Sequence, residues 1–335
     1  MALNPPAVHQ ASAAAVDIGV LQAKPENENA MFQVASNLNA VEGIDEETYP
    51  DSASFCEDCA RKSTLRLRKP DANTLHSLSP PRHPTPDVWD RTQGPQASVG
   101  AGAAAITRVH AAFYQKGKSW RQTRRRQVEL LHDLGEYYTV ENGYVVQNGM
   151  ERELPRSLEE RDDLLDRCCV GLHSGVQVTF CGLDGETLHL LPPSQPPQII
   201  DQVFCAAMNI AQGATGEHNL SLPGGVDKAD FLLRAAYRGT YLAAIANKCT
   251  RLFLTLIGGG VFGNRLDKIY KTIREEHIKW TMSPTNTLTD VFIVHWSANG
   301  AEINTFVEDL VRSGVIFDWT MYANNTPTIR QAVRA

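Results

Sequence analysis

Apolar and polar residues along the last 140 residues of the chain form runs that predict strands and helices in turn. Two near-continuous apolar runs, RLFLTLI (251–257) and DVFIVHW (290–296), are typical of strands that are buried on both faces of a sheet. Residues 209–227 are predicted to form a polar, glycine-rich loop. Strands that alternate with helices predict an α/β fold with a mostly parallel central sheet. The helix-period patterns cover residues 199–208, 228–247, 265–278 and 301–313.

Shorter patterns precede this region. MFQVAS (31–36) predicts a strand. Asn142-Gly143 and Asp184-Gly185 each separate two short apolar runs, which is the signature of a two-residue hairpin turn. Ser157 followed by Glu160 predicts a capping box at the start of a helix.

The remaining stretches set the expected domain boundaries. Residues 1–30 lack periodicity and predict a flexible N-terminal tail. Residues 43–88 are polar and rich in proline, so they predict a disordered insertion within one domain, because regular patterns resume on both sides. A helix is predicted over residues 120–137. The domain is expected to span residues 31–320, followed by a C-terminal tail over 321–335.

Composition narrows the classes of function. The 335 residues include 32 Lys and Arg against 38 Asp and Glu, a formal net charge of −6, which gives no general electrostatic reason to bind nucleic acid or an anionic membrane. No apolar run reaches the roughly 18–20 residues of a membrane span, and the first residues lack the basic region of a signal peptide. Seven cysteines, most of them in apolar segments, suggest a reducing compartment. We therefore expect an intracellular, cytoplasmic protein.

The sharpest chemical signal is the sequence GGGVFGN (258–264), which follows a buried strand and precedes a predicted helix. In open α/β sheets, ligands bind outside the carboxyl ends of strands. Consecutive glycines let backbone N–H groups approach a phosphate, and the next helix presents its positive N-terminus. The loop has neither the Lys-Ser/Thr pair of a Walker A motif nor the GxGxxG spacing of a dinucleotide fold. It predicts either an anion-binding loop or a structural tight turn.

Two other polar stretches are candidates for the same ligand. TQGP (92–95) opens a predicted helix, either as a simple turn or as a second loop around a diphosphate. Asn37 and Asn39 end a strand, either as turn formers or as ligands of sugar hydroxyls. Glu42 and Asp90 lie beside these two stretches and add carboxylates.

Four segments in this order are similar to macrodomains, which are ADP-ribose-binding α/β/α modules: QVASNLNAVE, DRTQGPQASVGAGA, QVFCAAMN and AAYRGTYLAAI…RLFLTLIGGGVFGN. The resemblance covers roughly residues 31–42 and 88–315, and it points to the divergent arginine-specific ADP-ribosylhydrolase macrodomains. It implies a three-layer α/β/α fold with a mostly parallel mixed central sheet. The residues that it assigns to ADP-ribose binding are Asn37, Asn39, Thr92, Gln93, Gly94, Gly258, Gly259, Gly260, Val261, Phe262, Gly263 and Asn264.

The same resemblance implies hydrolysis of the N-glycosidic bond between ADP-ribose and an arginine side chain. A transition state of this kind resembles an oxocarbenium ion, so a carboxylate can polarise water and stabilise the cation. A second carboxylate can hold the guanidinium leaving group. Glu42 and Asp90 are the first candidates, because each adjoins a predicted ligand loop, and Asp227 is the third. A non-catalytic ADP-ribose reader is the alternative function, and an RNA- or nucleotide-binding module is disfavoured by the acidic charge balance.

The expected partners are ADP-ribose and an arginine-ADP-ribosylated protein, with ubiquitin as a substrate that the resemblance admits. Nucleic acid, membrane and cofactor are not expected. Cys56 and Cys59 have the spacing of half a zinc site, with His76 and His83 downstream. No second compact pair completes that site, so no metal is predicted.

Overall fold

The structure is a computed structural model. It describes residues 7–12, 18–40, 46–47, 124–125, 127–178, 180–184, 187–190, 194, 196, 198–211, 213–295, 301–312, 317–321 and 330–332.

Eight strands form one mixed, mostly parallel sheet. Its six inner strands are parallel, and an antiparallel strand closes each edge. With strands numbered in chain order, the order across the sheet is β12 (Arg330–Ala332), β11 (Phe317–Met321), β1 (Ala7–Ser12), β10 (Asp290–His295), β9 (Arg251–Thr255), β2 (Met31–Ala35), β8 (Gln198–Cys205) and β5 (Gly171–Val178).

Helices cover both faces of this sheet. The helices are α1 (Ile18–Ala23), α2 (Leu158–Arg167), α3 (Ala214–Ser221), α4 (Gly225–Ala246), α5 (Leu266–Thr281) and α6 (Ala301–Arg312). On one face, buried side chains of α4, α5 and α6 pack against alternate residues of the inner strands, as Leu252 and Leu254 of β9 illustrate. On the other face, Leu21 and Ala23 of α1 pack with Phe253. The expected three-layer α/β/α fold is therefore confirmed.

Two hairpins lie outside the main sheet where the sequence predicts them, although Asp184 pairs with Thr187 and so ends a strand instead of lying in the turn. One joins β3 (Val140–Glu141) to β4 (Tyr144–Val145) through Asn142-Gly143, and both turn residues have positive φ. The other joins β6 (Phe180–Asp184) to β7 (Thr187–Leu190). The predicted helix cap is also confirmed, because the Ser157 hydroxyl accepts the Glu160 N–H at the start of α2.

Regular elements lie within the described parts of both segments that the sequence predicts to be tails. Within residues 1–30, β1 lies inside the sheet between β10 and β11, and Leu21 of α1 is buried. Within residues 321–335, β12 pairs with β11. Short segments of this kind carry too few apolar residues to show a period, and their neighbours in the sheet supply the backbone hydrogen bonds that define them as strands.

The amphipathic helix predicted over residues 199–208 is wrong as well, because this segment forms β8. Its polar residue Gln202 is fully buried and Asp201 is half-buried, so neither lies on a solvent-exposed helix face. Asp201 is held by the Gly175 N–H at 2.7 Å and by the Asn247 amide at 2.8 Å. A short run rich in β-branched residues is ambiguous between helix and strand until its partners are known.

Two further expectations fail in the described residues. The loop predicted over 209–227 contains α3. The described part of the helix predicted over 120–137 holds turns and one 3-10 turn, His132–Leu134. There the Leu130 N–H donates to the Leu38 carbonyl, so tertiary hydrogen bonds and a buried leucine cluster replace the helical pattern.

Candidate functional site

Three neighbouring parallel strands have their carboxyl ends on the same side of the sheet, which we call its carboxyl edge. Because β9, β2 and β8 are adjacent and parallel, their carboxyl ends bring three loops together. These loops are the β2 loop (36–40), the β8 loop (206–211) and the glycine loop (258–264). An edge of this kind is where open α/β sheets bind ligands.

The β2 loop buries both asparagines singled out from the sequence. Asn39 donates through Nδ2 to Gln127 Oε1 at 3.0 Å and to the Asn142 carbonyl at 3.1 Å. Asn37 is equally buried, but its Nδ2 has no hydrogen-bond partner among the described residues. Buried polar atoms in folded proteins are nearly always hydrogen-bonded. The Asn37 amide is therefore a donor that suits a ligand.

The β3–β4 hairpin forms a wall against these asparagines. The Gly143 carbonyl accepts the Leu38 N–H at 2.8 Å, so the turn is bonded directly to the β2 loop. A Cβ atom on Gly143 would lie 2.6 Å from Asn39 Cγ and 2.8 Å from Asn37 Cβ. Glycine is therefore required at the turn for close approach as well as for its φ of +86°.

The glycine loop packs tightly at its ends and is open in its middle. A Cβ on Gly258 would lie 2.6 Å from Ala207 Cβ, and one on Gly263 would lie 2.8 Å from Ala211 Cα. A Cβ on Gly260 would meet nothing within 4 Å, and the neighbouring Val261 is 88% exposed. The ends therefore fix the loop, and its centre is accessible to a ligand.

Two residues of the glycine loop point into the protein. The Asn264 Nδ2 donates to the Met208 carbonyl at 2.9 Å, so this asparagine ties the loop to the β8 loop. The Phe262 carbonyl accepts the Ile210 N–H at 2.9 Å, and its ring lies 5.6 Å from that of Tyr144 in the hairpin wall. These contacts show Asn264 and Phe262 holding the loop in place, and a ligand role for either remains a prediction.

A fully buried asparagine, which the sequence interpretation missed, joins the wall to the β8 loop. Asn219 of α3 donates to the Val145 carbonyl at 2.9 Å and to the Asn209 carbonyl at 3.0 Å, and it accepts the Gln147 N–H at 3.1 Å. Lys228, 1% exposed, donates to Gln147 Oε1 at 3.0 Å. Burial lowers the pKa of Lys228 below its usual value, while the Coulombic influence of nearby glutamates opposes that change. No sequence motif identifies Asn219, because its role depends on three backbone groups that are distant in the sequence.

The candidate carboxylates are only partly covered by the described residues. Glu42 and Asp90 lie outside them, as do Thr92, Gln93 and Gly94. Asp227, in the first turn of α4, forms an ion pair with Arg161 of α2, which neutralises its charge from within the protein.

Glu46 is a carboxylate that the sequence interpretation did not consider. Its carboxylate accepts the Thr215 hydroxyl of α3, and its carbonyl accepts Asn142 Nδ2 at 2.7 Å. It therefore borders the site beside the hairpin wall, although it belongs to the segment 43–88 that was predicted to be disordered. Apart from residues 46–47, that segment lies outside the described residues, with Cys56, Cys59, His76 and His83.

The described part of the chain contains no group of three or more His, Cys, Asp or Glu side chains that could hold a metal ion. Within the same residues, no helix is long and apolar enough to cross a membrane.

No protein-family model matches the chain, and a search of curated proteins finds no match. Among solved structures, it is similar to poly(ADP-ribose) glycohydrolase from Deinococcus radiodurans in complex with ADP-ribose. That match has 20% identity and a TM-score of 0.33, and it covers 44% of this chain and 54% of that one.

The chain is also similar to the glycohydrolase from Thermomonospora curvata, with 19% identity and a TM-score of 0.29, covering 42% of this chain and 46% of that one. The same enzyme bound to the inhibitor ADP-HPD gives 19% identity and a TM-score of 0.30, covering 42% of this chain and 48% of that one. The chain thus spans about half of the length of these glycohydrolases.

Proposed function

We propose that this protein binds ADP-ribose at the carboxyl edge of its sheet and hydrolyses the bond that joins ADP-ribose to arginine side chains. The observation that carries the binding proposal is the buried Asn37 amide, a donor with no partner in the described residues. It follows β2, which is the neighbour in the sheet of β9, the strand that precedes the glycine loop. Ribose hydroxyls accept hydrogen bonds from such an amide. The backbone N–H groups of an open glycine loop suit the oxygens of a diphosphate.

The catalytic step needs a carboxylate near the anomeric carbon. Hydrolysis breaks the bond between that carbon and the guanidine nitrogen, water supplies the new oxygen, and a proton is transferred to the leaving nitrogen. Glu42 and Asp90 remain the proposed carboxylates, because Glu42 follows the β2 loop and Asp90 precedes TQGP in the sequence. Asp227 is less suited to this role, because it is already paired with Arg161.

The binding site is tested most cleanly at Gly260. A Cβ at this position would meet no atom within 4 Å, so Gly260→Glu can introduce a negative charge without a clash at the point of attachment. We expect calorimetry to show ADP-ribose affinity reduced at least tenfold, roughly 1.4 kcal/mol or more, because the charge faces the diphosphate. Gly260→Gln has nearly the same volume without the charge and should bind close to the wild-type affinity. If the two variants bind ADP-ribose with equal affinity, the glycine loop is not part of the binding site.

Turnover is tested separately from binding. Glu42→Gln and Asp90→Asn are assayed on ADP-ribosylarginine, on arginine-ADP-ribosylated protein and on poly(ADP-ribose). Loss of a carboxylate that acts mainly in the transition state is expected to lower the rate by about 10²–10⁴ while ADP-ribose affinity is kept. If ADP-ribose is released only from poly(ADP-ribose), the substrate is the polymer and not ADP-ribosylarginine. Tight ADP-ribose binding with no release from any of the three would make the protein a reader, which is the second candidate function.

A further inference from the structure

Exposed apolar side chains gather beside the site. Eight large apolar side chains of the described residues are exposed. Four of these belong to two segments, 148–161 and 217–227: Met150 (88%), Leu158 (76%), Leu220 (38%) and Val226 (57%). We call these four side chains the rim patch. Single exposed apolar residues are ordinary, whereas clusters of them mark interaction surfaces.

The two segments of the rim patch lie against each other. A Cβ on Gly149 would be 3.6 Å from Leu222 Cδ2. At the other end of the patch, Arg161 is paired with Asp227. The apolar side chains therefore share one surface, although they are about 70 residues apart in the sequence.

The rim patch adjoins the candidate site through α3. Thr215, near the start of this helix, contacts Glu46, which in turn accepts a hydrogen bond from Asn142 of the hairpin wall. Leu220 lies five residues further along the helix, which is about 7.5 Å at 1.5 Å per residue. A macromolecule seated on the patch would therefore extend to the mouth of the site.

The charge of these segments indicates the partner. Residues 148–161 and 217–227 contain six acidic and three basic residues, a net charge of −3 with histidine neutral. This is half of the net charge of the chain within 25 of its 335 residues. A surface of this sign repels the phosphates of free ADP-ribose chains and attracts Lys and Arg.

We propose that the rim patch docks the protein that carries the modification, through a surface on which basic side chains surround an apolar one. This inference rests on the proposed function, because it names the macromolecular part of the same substrate. Apolar contacts in the centre and opposite charges at the rim are the usual division of roles in a protein interface.

The test compares a protein substrate with a small one. The double variant Met150→Ser/Val226→Ser is assayed on arginine-ADP-ribosylated core histones and on ADP-ribosylarginine. We expect the KM for the histones to rise about tenfold, while kcat/KM for ADP-ribosylarginine stays within about twofold. Met282→Ser is the matched control, because Met282 is 51% exposed and follows α5 at the opposite edge of the sheet. An unchanged histone KM in the double variant would overturn the proposal.

A binding measurement separates this inference from the proposed function. Affinity for unmodified core histones is measured for the same three proteins at a fixed salt concentration. Weaker binding by the double variant alone supports docking even if the wild type hydrolyses nothing, in which case only the proposed reaction fails. Equal histone affinity for the wild type and the double variant would overturn docking whatever the activity.

Discussion

Asn219→Ala is the most informative change outside the loops that are proposed to bind the ligand. Asn219 forms three hydrogen bonds that hold the hairpin wall, α3 and the β8 loop together, and its side chain is fully buried. Alanine removes all three bonds and leaves the Gln147 N–H and two carbonyl groups without their partner. The hairpin then loses its bonds to α3, while the hydrogen bond between Gly143 and Leu38 remains.

The magnitude follows from these bonds. A neutral intramolecular hydrogen bond contributes about 1 kcal/mol net, and a buried group left unpaired costs about 1–3 kcal/mol. Three neutral bonds therefore predict a loss of roughly 2–4 kcal/mol of unfolding free energy. We expect ADP-ribose affinity to fall about tenfold, because the binding geometry is no longer held in advance.

The assay needs a control variant that lowers the unfolding free energy by a similar amount but lies far from the site. Asn27 is such a residue, because it is 2% exposed and lies before β2 at the opposite edge of the sheet. Its Nδ2 donates to the Leu21 carbonyl at 2.7 Å, and its Oδ1 accepts from Arg251. Denaturant unfolding gives the stability of both variants, and calorimetry gives their ADP-ribose affinity at a temperature where both are folded.

We expect Asn27→Ala to lose stability while it keeps the wild-type affinity. Asn219→Ala should lose both. If the two variants bind ADP-ribose equally well, Asn219 contributes only to folding and the positioning argument is refuted.

Three other outcomes are expected. Gly143→Ala should weaken ADP-ribose binding in calorimetry, because its Cβ would lie within 3 Å of both asparagines of the β2 loop; wild-type affinity would show that the hairpin is not a wall of the site. Cys205 and Cys249 should react with Ellman's reagent at pH 8 only after unfolding, because burial raises the pKa of each thiol to about 12, and fast labelling of the native protein would contradict this. The folded protein keeps these thiol protons up to about pH 12, whereas the unfolded thiols lose theirs near pH 8.5. The stability that the buried neutral thiols contribute is therefore present below about pH 8.5 and declines as the pH rises towards 12. Deleting residues 51–87 should change the melting temperature little. Deleting residues 44–87 should lower it, because this deletion also removes Glu46 and its contacts. Equal melting temperatures of the two deletion variants would show that those contacts are dispensable.

Local sequence patterns determined the elements that carry their own signal. The run Arg251–Thr255 forms the strand that its apolar residues predict, and the Asn142-Gly143 turn has positive φ at both residues. The Ser157 cap is specified by residues three positions apart. The GGGVFGN sequence likewise indicated a loop between a strand and a helix, which the structure shows, while its role in ligand binding stays a prediction.

The tertiary structure decided what depends on distant partners. Residues 199–205 carry a pattern compatible with a helix, and the pairing with β2 and β5 makes them a strand. Ala7–Ser12 have too little apolar character to predict a strand, yet β10 and β11 complete their hydrogen bonds. Asn219 joins backbone groups that lie 10 and 74 residues away. A side chain of this kind leaves no local pattern, because its role is defined by atoms that only the folded chain brings within 3 Å of one another.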